Sequence, residues 1–158
     1  MSKLFKLKAW LTLEEAVNHI STVLGESATE ADLFRFALDG HLTLSVNFVN
    51  RAKARKGKWV NTSDVQFYLI ENDILTGEKL ENPISMPLNH ELFVSDDNWI
   101  ALEKPVVSIS GVWDLAMVGA ETLDIEHLYQ QSTSGLEVTL VAIDGAFVMK
   151  GDVICQLQ

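Results

Sequence analysis

Residues 10–48 read WLTLEEAVNHISTVLGESATEADLFRFALDGHLTLSVNF. Two capped amphipathic helices and an alternating strand are legible in this one stretch, and the rest of the chain is read outward from it. Thr12 stands three residues before Glu15, the spacing at which a threonine hydroxyl accepts from a backbone N–H while the glutamate reaches back, so a helix is predicted to start there. Leu13, Ala16, Val17, Ile20, Val23 and Leu24 recur at helical spacing and form one apolar stripe, and Gly25 supplies a left-handed stop. The opposite face, Glu14, Glu15, Asn18 and His19, is polar. Thr29 opens a second helix with Glu30 and Asp32 in the first turn, where the helix dipole favours negative charge. Leu33, Phe34, Phe36, Ala37 and Leu38 carry it to Gly40. Leu42, Leu44, Val46 and Phe48 then alternate with Thr43, Ser45 and Asn47, the period of a half-buried strand.

Beyond this unit the chain turns β-rich. Residues 65–70 and 92–94 read as strands, residues 105–113 as an edge or Pro-started strand, and residues 121–130 as one short helix or turn with Leu123, Leu128 and Tyr129 inward. Residues 78–91 hold Pro83 and Pro87 and lose periodicity, which marks a linker or long loop, or an embellishment within one domain. Residues 137–143, the Asp144-Gly145 turn, residues 146–149 and residues 153–157 read as a three-strand meander closing the chain. The expected class is α+β: a helix-turn-helix-like unit followed by a strand, then a β-rich part. Two regions are expected, residues 1–60 with a basic loop and an acidic residues 61–158, or else one continuous domain.

The phrases LTLEEA and TEADLFRFALDGHL, in the order helix, turn, helix, glycine, strand, resemble the winged helix-turn-helix modules of MerR-type regulators and phage excisionases. That likeness covers about a quarter of the chain. It implies DNA binding with the second helix in the major groove, where Arg35 is the one candidate base contact. The sequence departs from that pattern in charge, because the polar positions of the second helix are otherwise Glu30, Asp32 and Asp39, which phosphate repels. The whole chain also resembles bacterial proteins of unknown function that share ALDGHLTLSVNFVN, GVWDL and GAETLDIEH, and that likeness implies no activity.

The 158 residues carry a net charge of −10 that is distributed unevenly. Residues 1–60 hold nine Lys and Arg against six acids, whereas residues 61–158 hold three against sixteen. Five of the cations, Arg51, Lys53, Arg55, Lys56 and Lys58, fall within eight positions; they read either as a basic wing on phosphates or as a solvated turn. Two functions remain open from sequence: a DNA-binding regulator or accessory factor of excisionase type with an acidic interaction domain, or a protein–protein interaction module or adaptor without nucleic acid. The partners are accordingly DNA through the N-terminal part, and a protein or a second copy through the C-terminal part.

Catalytic chemistry has little support. His19, His41, His90 and His127 are scattered, no HExxH, GxSxG, GxGxxG or P-loop phrase occurs, and Asp124, Glu126 and His127 are too close in sequence to converge from one helix. No catalytic residue, metal ligand or cofactor is assigned, and the reading is not an enzyme. Cys155, the single cysteine, sits in an apolar strand and reads as a buried inert thiol. One cysteine, no signal-peptide core and no spanning segment together give a cytoplasmic expectation with no membrane partner.

Overall fold

The computed structural model of the chain describes residues 7–133 and 145–158. The chain is α+β, with the order α1 Leu13–Leu24, α2 Glu30–Leu38, β1 Ser45–Asn61, β2 Phe67–Asn72, β3 Lys79–Pro87, β4 Leu92–Ser95, β5 Asn98–Leu115, α3 Ala120–Ser132, β6 Phe147–Lys150 and β7 Val153–Leu157. A 3₁₀ turn, Thr62–Asp64, joins β1 to β2. No helix among the described residues is long and apolar enough to cross a membrane.

Two compact units emerge, each built from two chain segments. The first comprises the described residues of Met1–Asn47 and Val112–Phe147, and the second comprises Phe48–Gly111 with Val148–Gln158. Strands β1 and β5 each run from one unit into the other. The chain thus divides at Asn47 and Gly111, and the five cations of residues 51–58 belong to the second unit, whereas α1 and α2 belong to the first.

In the first unit, α1 begins as its sequence dictates: Thr12 accepts from the Glu15 N–H at 3.2 Å, and Gly25 closes the helix at φ 70°. The reciprocal half of the expected capping box is replaced. The Glu15 carboxylate pairs with Lys8 at 2.6 Å, and the Lys8 hydrogen bond holds it below the usual carboxylate range. The full box occurs in α2, where Thr29 accepts from the Asp32 N–H and Asp32 accepts from the Thr29 N–H at 2.8 Å. Ser21 fixes the turn between the helices, donating to the Val17 carbonyl and accepting from the Ala28 N–H. Leu33, Phe34 and Ala37 of α2 are buried, whereas α1 has no fully buried residue and leaves Val23 and Leu24 exposed. α2 therefore contributes to this unit's core together with Trp113, Ala120, Ile125 and Phe147, whereas α1 lies at its margin.

The third helix is longer than the sequence suggested and turns a different face inward. Ala120, Glu121 and Ile125 are buried, so of the expected inward set Leu128 is corrected, being exposed, while Leu123 and Tyr129 are half-buried. Glu121 is the reason. Its carboxylate accepts from the backbone N–H groups of Val118 at 2.8 Å, Gly119 at 3.2 Å and Phe147 at 3.0 Å. Three donors compensate the burial of a charge at the first turn of a helix, where the dipole also favours an anion. Gly119 has to be glycine for a steric reason: a Cβ there would lie 2.6 Å from the Phe147 ring and 2.8 Å from the Gly145 carbonyl oxygen.

In the second unit the main sheet has the order β1-β7-β6-β5-β4, with a further pairing of β1 to β5. β7 is antiparallel to β1, with Ala54 opposite Leu157 and Gly57 opposite Ile154. Ile154 and Cys155 are neighbours on opposite faces of β7, and both are fully buried with Val148 and Ile100. Gly57 admits β5 closely; a Cβ would meet Ile100 and Leu102 side chains at 3.0 Å. The expected Pro-started strand at 105–113 is the second half of the continuous β5. Its partner β4 returns through a two-residue turn at Asp96-Asp97, where Asp96 takes φ 42°. β6 and β7 form the closing hairpin across Gly151, as the sequence suggests, whereas the first strand of the expected meander, residues 137–143, lies outside the described residues.

Two corrections bear on function. Residues 51–58 are not a loop or wing: they form the middle of β1, a strand of 17 residues. Residues 78–91 are not a linker, because Lys79–Pro87 is β3, paired with β2 in a separate two-stranded ribbon. Pro83 misled the sequence reading. It lies in a bulge: the register runs regularly from Phe67 opposite Pro87 to Ile70 opposite Ile84, then jumps to Asn72 opposite Lys79, so Pro83 owes no ladder hydrogen bond.

Candidate interaction surfaces

The β2–β3 ribbon is apolar on both faces. Tyr68 opposite Met86 and Ile70 opposite Ile84 make one face, and Phe67 opposite Pro87 and Leu69 opposite Ser85 make the other. Leu69 and Ile84 are both at least half exposed, and at the tip Ile74 and Leu75 are 85% and 95% exposed. Two strands cannot cover two apolar faces, and an isolated hairpin is marginal in water.

The ribbon is nevertheless tightly held at both ends. At its base the Leu88 N–H donates to the Gln66 carbonyl at 2.7 Å. The Phe67 ring meets Trp99 edge-on with centroids 5.4 Å apart, and Phe93 meets the same indole at 5.2 Å. The indole N–H of Trp99 donates to the Thr62 hydroxyl at 2.9 Å. At its tip Asp73 accepts from the Leu75 N–H at 2.7 Å and the Thr76 N–H at 3.0 Å, and Gly77 closes the turn at φ 72°. The backbone N–H groups of Thr76 and Leu75 hold the Asp73 carboxyl below the ordinary aspartate value. The turn thus presents Ile74 and Leu75 on an ordered loop.

The six residues singled out from sequence are split between the units. Arg35 lies exposed on α2 and is engaged by Asp39 one turn on, at 3.0 Å. Arg51, Lys53, Lys56 and Lys58 are exposed along β1, and Arg55 is half-buried, its Nε donating to the Glu103 carbonyl at 2.7 Å. In the helical unit Lys8 and Arg35 are the only Lys or Arg side chains among the described residues, against ten carboxylates, and both are paired with acids.

A second surface lies in the helical unit. A groove of about 510 Å³ runs beside Trp10, Leu13, Ala16, Leu33, Leu42 and Leu44, with the Ser45 hydroxyl donating to Asp114 at 2.6 Å on its rim. Trp10 is half-exposed and lines this groove beside the first turn of α1. No histidine stands among the lining residues to activate Ser45. Among the described residues no three His, Cys, Asp or Glu side chains gather as a metal site. Cys155 is fully buried, and burial pushes its thiol upward, away from thiolate chemistry. On α3, Thr122 Oγ1, His127 Nδ1 and Gln130 Oε1 are buried atoms with no hydrogen-bond partner among the described residues. Comparison with family models, with curated proteins and with solved structures gave no match.

Proposed function

We propose that the chain is a protein–protein interaction module and that the β2–β3 ribbon is its docking arm. One observation carries this reading: a ribbon clamped at base and tip keeps two apolar faces and the Ile74-Leu75 tip in solvent. Contiguous apolar surface of this kind, rimmed by Glu71, Glu78 and Glu81, suits association better than solvation. Acids around the tip also disfavour an anionic membrane as the occupant.

The helix-turn-helix-like reading keeps one supporting observation, the exposed cations of β1, which could neutralise phosphates as a strip. In that second reading the contacts are made by the strand, since both described Lys and Arg side chains of the helical unit are taken up by acids. A photo-cross-linking residue placed in living cells at Leu75, at Lys56 and, as a control, at Glu126 separates the two. The interaction reading expects discrete protein adducts at position 75 and none at 126. Nucleic-acid adducts at 56 with none of protein at 75 would replace it with the second reading.

A further inference from the structure

Resting on the docking-arm reading, we infer that the arm's partner is a second copy of this chain, and that its acidic tip seats on the basic strand β1 of that copy. Residues 67–88 hold Glu71, Asp73, Glu78 and Glu81 against one cation, Lys79. Residues 49–60 of β1 hold five cations and no acid. Both sets belong to the second unit, yet no ion pair joins them within one chain. Among the described residues, Arg51, Lys53 and Lys58 have no carboxylate within pairing distance, and Glu71, Glu78 and Glu81 have no cation.

The complementarity extends to apolar anchors. Val49 is 84% exposed and Trp59 is partly exposed at the two ends of the basic run, opposite in character to the charges between them. Ile74 and Leu75 stand likewise between carboxylates. The carboxylates of the arm face the cations of the strand, Val49 and Trp59 flank that contact as apolar anchors, and a two-fold exchange would form it twice. β1 already pairs with β7 and β5, so the contact is made by side chains rather than by adding a strand.

A charge swap tests this directly. Since each copy carries −10, salt screens the general repulsion along with the local attraction, and salt dependence alone decides nothing. Sedimentation of the full chain is compared for wild type, for Arg51→Glu/Lys53→Glu, two exposed cations on one face of β1, and for Glu71→Lys/Glu78→Lys. The expected result is a wild-type dimer, two variants that are each monomeric because like charges face each other, and a dimer restored when the two variants are mixed in equal amounts. Restoration also shows that both variants are folded. A wild type that stays monomeric at every concentration overturns the inference. So does either variant dimerising like wild type, or a mixture that remains monomeric. A cross-link from Leu75 to a different protein would overturn the inference while leaving the docking arm standing.

Discussion

Two carboxylates decide more than their positions in the sequence announced. Glu121 reads from sequence as one more acid in an acidic helix, because its three partners come from residues 118, 119 and 147 and no local spacing reveals the third. Glu121→Ala leaves those N–H groups without an acceptor and is expected to lower stability by about 3 kcal/mol or more in a denaturant titration. Glu121→Gln, which keeps one acceptor oxygen, is expected to cost less. Asp73 stands in a stretch of turn-forming composition, Asn72-Asp73 before Thr76-Gly77, but nothing local marks it as the clamp of that turn. Its folded pKa is depressed, so the interaction is fully present above the ordinary aspartate range and is lost as pH falls through the folded value. An NMR titration should place Asp73 below a reference aspartate, and the Leu75 and Thr76 amide signals should shift with the same midpoint.

At the scale of elements, helices were easier to read than strands. Thr12, Gly25 and Thr29 act through neighbours three or four residues away, so caps and ends are visible in the chain itself. Strand context is not local. Residues 51–58 looked like a loop because five cations and Gly57 drew attention away from a short alternation, Arg51, Lys53 and Arg55 with Ala52 and Ala54 between them, whose inward side is visible only once β1 is paired with residues 154–157. Pro83 and Pro87 suggested a linker because the bulge that accommodates Pro83 depends on register with β2. The two N-terminal helices looked equivalent, yet their burial differs. Leu33→Ala on α2 is expected to cost about 3–5 kcal/mol, as a fully buried leucine, and Ile20→Ala on the half-covered α1 less than half as much. Thermal melts of the two variants check the order; equal losses would make α1 as central as α2.

For the whole molecule, the α+β class was legible, while the division of the chain was not. β1 and β5 are long enough to belong to both units, and no composition shift marks Asn47 or Gly111, although Gly111 adopts φ 81°, open to glycine. The candidate site was legible only as charge. The five cations were found, but the apolar ribbon was hidden behind two prolines, and its exposure depends on what the rest of the chain fails to cover. The role of the ribbon as a docking arm depends on that lack of cover. The direct measurement is amide hydrogen exchange on the isolated full chain, at a concentration where it sediments as a monomer. The expected result is that the Leu69–Ser85 and Ile70–Ile84 pairs exchange about a hundredfold or more faster than Val148, Ile154 and Cys155. Ribbon amides protected as strongly as those three would mean that the chain covers its own ribbon, and would contradict its role as a docking arm.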